Sequence, residues 1–301
     1  EEVDLKIVHE ARDAKQWISD VKFSPDHNTL AIASHDNNLY VYDVPNAFEL
    51  RSVMDKHNSF VHSIDFSADS QYIQSVCGAY EFIISDANTG THVPAVSTLK
   101  DVRWDTWTIN LGWPVQGLWP KHSEGTDLRT VDRSHFGSLI ATGDGFGQLK
   151  LRRYPCINKT TAARVYKGHG QRINRVRFTP EDDYVVSVGG EDRSIFQWRV
   201  IPASLDDAMK ADESGNDSDL DVEGFFDVDD DDDEQFMAIK PWVGVIVPPT
   251  VAPIASSTPP AMRLELEHVY GRRAQDVRNN LFYAADGQVR AVLSILFPVC
   301  V

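Results

Sequence analysis

The sequence predicts an all-β repeat fold, a β-propeller of which four blades are present, and three observations carry that expectation. Residues 168–198 read as one nearly complete blade: Gly168-His169 opens it, a strand with Ile173, Val176 and Phe178 follows, an acidic turn leads to Val185–Val188, and a last strand ends in Trp198. Upstream, Phe23-Ser24-Pro25-Asp26 returns 43 residues later as Phe66-Ser67-Ala68-Asp69, an interval within the ~40–45-residue period of WD40 repeats. A single blade has two apolar faces that only neighbouring blades can cover, so repeats must accompany it.

The elements follow in order. The first blade, about 1–50, places strands at Leu30–Ser34 and Leu39–Asp43; the second, about 51–100, at Tyr72–Val76 and Glu81–Asp86. The third, about 101–165, is stretched, with Val115–Pro120 expected as its first strand, Leu139–Asp144 as its second and Leu149–Leu151 as its third. The fourth spans about 166–202. Four blades leave two open edges, which closed rings avoid. The lack of an initial Met adds to this, and the sequence is expected to be a segment of a longer chain.

In such a blade a His from the loop leading in, a Ser or Thr of the second strand, an Asp of the next turn and an aromatic of the third strand can form one hydrogen-bonded chain. His169, Ser187, Asp192 and Trp198 supply all four in the fourth blade. The first blade keeps Ser34, Asp36 and Tyr42; the second has His57 but Ala79 and Ser85 at the Asp and Trp places; the third has Asp144 with Arg152 at the aromatic place. His169, Ser187 and Asp192 also spell a hydrolase triad. However, Ser187 lies inside the apolar run Val185-Val186-Ser187-Val188, not in the exposed elbow that a nucleophile requires. The set is read as structural, with no catalytic residue, cofactor or metal expected. Gly143-Asp144-Gly145-Phe146-Gly147 lies between strands and reads as a turn, not a phosphate cradle.

Charge divides the chain sharply. The net charge is −16, but residues 203–240 hold fifteen Asp or Glu against Lys210 and Lys240, a balance of −13 that leaves −3 for everything else. That stretch has the composition of a solvated, disordered linker. Asp217, Asp219 and Asp221 alternate as in a calcium loop, yet Val222 stands where the EF-hand turn requires Gly. Ser214 and Ser218 are candidate phosphorylation sites in this acidic setting. Residues 241–262 form a Pro-rich connector.

Positive charge collects between Gly145 and Pro180, where no acidic residue occurs and nine Lys or Arg do. Lys150, Arg152, Arg153, Lys167, Arg172, Arg175 and Arg177 make a candidate surface for a polyanion. The other reading is that they are solvent-facing positions of strands, as the alternation of Arg175 and Arg177 with Val176 and Phe178 would require. No RNA-binding motif accompanies the stretch, which argues against a nucleic-acid partner. The sequence shows no apolar run of membrane-spanning length and no secretory signal, so no membrane partner is expected. Cys77, Cys156 and Cys300 are too few and too far apart for a disulfide framework or zinc finger, and a reducing compartment is expected.

Several irregular runs go beyond generic WD40 features. Leu111-Gly112-Trp113-Pro114-Val115-Gln116-Gly117-Leu118-Trp119-Pro120, Arg133-Ser134-His135, Ala141-Thr142-Gly143-Asp144-Gly145-Phe146-Gly147 and Arg153-Tyr154-Pro155-Cys156 resemble the echinoderm microtubule-associated protein-like (EML) family. Lys240-Pro241-Trp242, Leu264–Gly271 and Asp276–Tyr283 resemble the hydrophobic HELP motif that begins a propeller module in that family. The resemblance implies tandem modules, one ending near Val200 and another beginning within 263–301. It further implies a non-enzymatic, microtubule-associated scaffold that binds tubulin or microtubule-bound partners, in the cytoplasm on the cytoskeleton or in a ciliary axoneme. The alternative is a general protein-interaction hub with no tie to microtubules.

Overall fold

The computed structural model describes residues 7–119, 128–158, 161–204, 245–253, 256–271, 281–283 and 289–291. Most of the acidic stretch, the Lys240-Pro241-Trp242 run, most of Asp276–Tyr283 and Cys300 lie outside them. Apart from two short 3-10 helices, the regular structure among the described residues is antiparallel β-sheet, in two compact units.

The first unit comprises Glu1–Gly112 with Ile239–Ala252. Its strands are β1 (Ile18–Phe23), β2 (Thr29–Ser34), β3 (Leu39–Asp43) and β4 (Glu49–Met54), hydrogen-bonded in that order, then β5 (Val61–Phe66), β6 (Tyr72–Cys77) and β7 (Phe82–Asp86) in a three-stranded sheet. Only the isolated bridge Ser85↔His92 stands where that sheet would have a fourth strand. Alternation sends one side of each strand inward, and Ala31, Ala33, Leu39, Val41, Ile64, Phe66 and Ile73 close the core.

The second unit comprises Trp113–Ala238 with Pro253–Val301. Strands β8 (Leu128–Arg133), β9 (Leu139–Asp144), β10 (Leu149–Arg153) and β11 (Arg164–Tyr166) form its first sheet. The next is built from β12 (Ile173–Phe178), β13 (Tyr184–Gly189), β14 (Ile195–Pro202) and β15 (Met262–Tyr270), and β16 (Leu281–Tyr283) pairs with β17 (Val289–Ala291). Leu149, Leu151, Ile173, Val176, Val185, Phe196, Trp198 and Leu264 are the buried centre of this unit.

The hairpin between first and second strands is the same device four times. Thr29, Tyr72, Leu139 and Tyr184 each donate their backbone N–H to a hydroxyl five residues earlier, on Ser24, Ser67, Ser134 and Thr179, at 2.9–3.1 Å. The residue three places after each hydroxyl, His27, Ser70, Gly137 or Asp182, takes a positive φ to close the turn. This is the physical content of the Phe-Ser-x-Asp repeat. Each of these strand pairs also carries one register shift near its start, between Ile18/Asp20, Val61/Ser63, Leu128/Thr130 and Ile173/Arg175.

Two sequence expectations need correction. The first strand of the third blade is Leu128–Arg133, whereas Trp113–Leu118 is a 3-10 helix. Pro114 has no N–H to give a sheet and suits a first helical turn. Its carbonyl accepts from Cys156 N at 2.8 Å, and Gly117 N donates to Cys156 O at 2.9 Å, tying the helix to the loop after β10. The true strand is hard to read because Thr130 and Asp132 are buried polar residues. They accept from Val176 N (3.2 Å) and Phe178 N (2.7 Å) of the neighbouring blade.

The second correction concerns the boundary at 263. Met262–Tyr270 pairs along its length with β14, from Ile195↔Tyr270 to Pro202↔Met262, and so supplies the fourth strand of the fourth blade. Leu264 and its partly buried neighbours Leu266 and Val269 cover the apolar face that Trp198 would otherwise expose. An outer strand that arrives from beyond a long insertion leaves no repeat-length signature.

Candidate functional site

The structure brings His169, Ser187, Asp192 and Trp198 into one hydrogen-bonded chain. Trp198 Nε1 donates to Ser187 Oγ at 2.9 Å, Ser187 meets His169 Nε2 at 2.8 Å, and His169 Nδ1 meets Asp192 Oδ2 at 2.8 Å. A carboxylate can only accept, so the Nδ1–H points to Asp192 and Ser187 donates to Nε2. Ser194 Oγ stands 3.2 Å from the same Nδ1, and Gly170 N donates to Asp192 at 3.2 Å. Burial works against the Asp192 charge, but attraction from His169 and hydrogen bonds from His169 and Ser194 hold its carboxyl below the ordinary value. The His169 ring stacks on Phe196 at 4.1 Å and Ser187 has no exposed surface. This arrangement ties β13, β14 and the turn between them to the loop ahead of β12, and offers Ser187 no approach for a substrate.

The neighbouring turn is fitted as closely. Gly147, at φ +78°, lies where an added Cβ would come within 2.6 Å of the carbonyl oxygens of His169 and Gln171. Backbone cannot yield as a flexible side chain can. Gly147→Ala is therefore expected to destabilise the protein by about 2 kcal/mol, read as a shift in urea midpoint at unchanged slope. Gly137, with positive φ but open space, should lose only the left-handed backbone strain, about 1 kcal/mol, from the same change.

The other blades solve the same problem with different residues. In the third, Arg152 stands in place of Trp198 and reaches Thr142 Oγ1 at 3.5 Å; burial pushes its guanidinium down, and its Nε has no hydrogen-bond partner. In the first, Asp36 takes the hydroxyl of Tyr40 (2.8 Å), not that of Tyr42, which donates to Asp13 at 2.9 Å. In the second, His57 Nε2 meets Ser75 Oγ at 2.7 Å as His169 meets Ser187. Its Nδ1, however, faces Glu81, with Oε2 at 3.7 Å, and Cys77 Sγ donates to that oxygen at 3.3 Å. Burial pushes His57 down to about 4, against the raising influence of Glu81.

Sequence reasoning missed Glu81 because it looked for the acid at Ala79. Both hairpins close through a backbone bond, Cys77 N to Glu81 O and Gly189 N to Ser194 O, so Glu81 takes the place of Ser194. The same alignment sets Cys77 opposite Gly189, where a Cβ would lie 1.8 Å from Asp192 Oδ1. In the fourth blade the Asp192 carboxylate takes the space of a side chain at Gly189; in the second, with Ala79 at the turn, the thiol has room.

The basic stretch does not form one surface. Lys150 pairs with Asp144 at 3.1 Å, Arg152 turns inward, and Arg153 Nε donates to Pro259 O at 3.0 Å, as Arg164 Nε does to Pro260 O at 3.1 Å. Arg177 donates to Val176 O (2.8 Å) and lies 4.0 Å from Asp132. Lys167 and Arg172 are exposed in the loop between β11 and β12, while Arg175 and Arg177 are partly buried. The expectation of seven surface charges is corrected accordingly, because strand positions aim alternate residues into the sheet and the long guanidinium arms find carbonyls there.

A family model for the second β-propeller of echinoderm microtubule-associated protein matches residues 1–200, and a HELP motif model matches 259–289. The chain belongs to the echinoderm microtubule-associated protein family. It is 40% identical over 201 residues to echinoderm microtubule-associated protein-like 1 of Rattus norvegicus and of Homo sapiens, covering 66% of this chain and 24% of each relative. It is 41% identical over 204 residues to the 77 kDa echinoderm microtubule-associated protein of Strongylocentrotus purpuratus, covering 67% and 29%. The chain thus spans between about a quarter and a third of the length of these relatives. Among solved structures it is similar to the Cps50 (Swd1) β-propeller domain of Myceliophteria thermophila, 14% identical, covering 66% and 70%, with a TM-score of 0.48. The HELP match begins just ahead of β15, so in this member of the family the motif enters the sheet of the fourth blade. Among the described residues no helix is long and apolar enough to cross a membrane.

Proposed function

We propose that this propeller segment is a non-enzymatic part of a microtubule-associated scaffold that meets tubulin, or a protein already on the microtubule, through the loop between β11 and β12. Family membership carries the reading, since the relatives at 40–41% identity are named as microtubule-associated proteins. Lys167 and Arg172 supply exposed positive charge in that loop, and Arg175 borders it. Tubulin surfaces are acidic, so the loop is attractive and the −13 stretch at 203–240 is repelled. Acidic stretch and Pro-rich connector together are an insertion between β14 and β15 of the fourth blade, and the setting is the cytoplasmic cytoskeleton, ciliary axonemes included.

Co-sedimentation with microtubules at rising salt tests this. Lys167→Glu with Arg172→Glu is expected to lower the apparent affinity about tenfold at low salt, with the gap closing as salt screens it. Arg177 is kept, because it braces β12. A salt-sensitive affinity that the double variant leaves unchanged would remove the loop from the interface.

One observation favours a protein-interaction hub as a second reading. Trp17 is 80% exposed and begins an aromatic ladder through His35 to Phe60, with ring centroids 5.7 and 4.6 Å apart. Exposed, ordered aromatics are typical anchors for a partner protein. Localisation of the full chain away from microtubules, with a partner lost on Trp17→Ala, would decide for the hub.

A further inference from the structure

The geometry points to a zinc-class divalent metal site in the second blade, formed by His57 Nδ1, Cys77 Sγ and Glu81. The three donor atoms lie within 4.8 Å of one another. Glu81 Oε2 is 3.7 Å from the imidazole nitrogen and 3.3 Å from the thiol sulfur. Tetrahedral zinc, with bonds of about 2.0–2.1 Å to nitrogen, 2.0–2.2 Å to oxygen and 2.3 Å to sulfur, sets neighbouring donors roughly 3.3–3.7 Å apart. One nitrogen, one thiolate and one carboxylate form a donor set suited to zinc and not to calcium or magnesium, which take oxygen.

The imidazole gives the independent reason to expect a cation. The hydroxyl of Ser75 lies 3.4 Å from the carbonyl of Ile83 and donates to it, so Ser75 Oγ accepts from His57 Nε2–H. That fixes the tautomer and leaves a lone pair on Nδ1. Nδ1 is buried with no hydrogen-bond partner, on a side chain only 3% exposed, and it is directed at a carboxylate that also offers lone pairs. Two acceptors held face to face repel unless something positive stands between them. In the fourth blade the same position is filled by a proton, shared between His169 and Asp192 at 2.8 Å. At 3.7 Å the second blade has too wide a gap for that bond and a suitable one for a metal ion.

The surroundings are those of a supported site. Ser75 orients the imidazole from its far nitrogen, and Asn58 holds the carboxylate through its backbone N–H at 2.9 Å and through its side-chain amide. The Cys77 proton, now donated to Glu81, leaves to buffer when the thiolate takes the metal. Three protein ligands leave one coordination position to water. The ion would join the loop ahead of β5 to the β6–β7 hairpin, the duty that His169, Asp192 and Trp198 perform in the fourth blade.

The purified chain, stripped with chelator and titrated with Co²⁺ and with Zn²⁺, tests the site. One equivalent is expected to bind, with the near-ultraviolet thiolate-to-cobalt absorption band, reversed by Zn²⁺ displacement and accompanied by a higher melting midpoint. Cys77→Ser should abolish the band and Cys156→Ser should keep it. Glu81→Gln, which keeps one acceptor oxygen for Asn58 but removes the carboxylate ligand, should weaken binding by at least about tenfold and guards against a Cys77 variant that fails to fold. Absence of stoichiometric binding by the unaltered chain, or a band and affinity that Cys77→Ser and Glu81→Gln both leave in place, would overturn the proposal.

Discussion

Replacing Asp65 by Ala is expected to destabilise the protein by about 3–5 kcal/mol, the range for removing one partner of a buried charge pair. Asp65 has no exposed surface and accepts from the Lys22 ammonium, the Thr106 and Thr108 hydroxyls, and the backbone N–H groups of Thr108 (2.8 Å) and Ile109 (3.2 Å). Without it the Lys22 side chain, 15% exposed, holds a charge with no counter-ion. Urea unfolding followed by tryptophan fluorescence gives the value. Lys22→Met in the Asp65→Ala background should recover part of the loss, because it removes the stranded charge.

The same residue fixes an acid limit. Burial pushes the Asp65 carboxyl up, but Lys22 and the hydrogen bonds of Lys22, Thr106 and Thr108 outweigh it and hold the group below its ordinary 3.8. A carboxyl with a lowered native value contributes its stability fully above 3.8. That contribution falls away as the pH drops through the native value, since the unfolded chain takes up the proton first. Stability should therefore decline steeply on the acid side of pH 4 in the unaltered chain, and Asp65→Ala should flatten that decline.

Leu264→Asp is expected to cost about 4 kcal/mol, combining lost packing with a buried, unpaired carboxylate. Leu264 is 3% exposed, packs in the cluster that holds Phe196 and Trp198, and donates its backbone N–H to Tyr166 Oη at 2.8 Å. Glu265, next in β15 and exposed, serves as control, and Glu265→Gln should stay within about 0.5 kcal/mol of the parent. Hydrogen exchange at β14 gives the local reading. If Leu264→Asp leaves the midpoint and the β14 amides where Glu265→Gln leaves them, β15 does not hold the fourth blade together.

The legibility of this fold follows from what each residue contacts. Phe23-Ser24 and Phe66-Ser67 could be read because hydroxyl, turn and strand lie within five residues of one another. The tetrad of the fourth blade could be read because its members keep the spacing of the two hairpins that hold them. Leu128–Arg133 could not, since Thr130 and Asp132 are polar for the sake of a strand some 46 residues away, and their burial erases the alternation. Glu81 was hidden for a related reason: its role depends on how far a longer side chain reaches across a hairpin closed one residue earlier.

The sequence by itself determined the blade repeat, the family and the hydrogen-bonded chain of His169, Ser187, Asp192 and Trp198, because all of these rest on local spacing. Tertiary structure alone decided three further matters: that Met262–Tyr270 closes the fourth sheet, that Lys150, Arg153, Arg164 and Arg177 of the basic stretch are spent on carbonyls and carboxylates, and that His57, Cys77 and Glu81 converge. Strand order and side-chain reach place groups from distant positions within hydrogen-bonding distance. Neither is written in the distance along the chain.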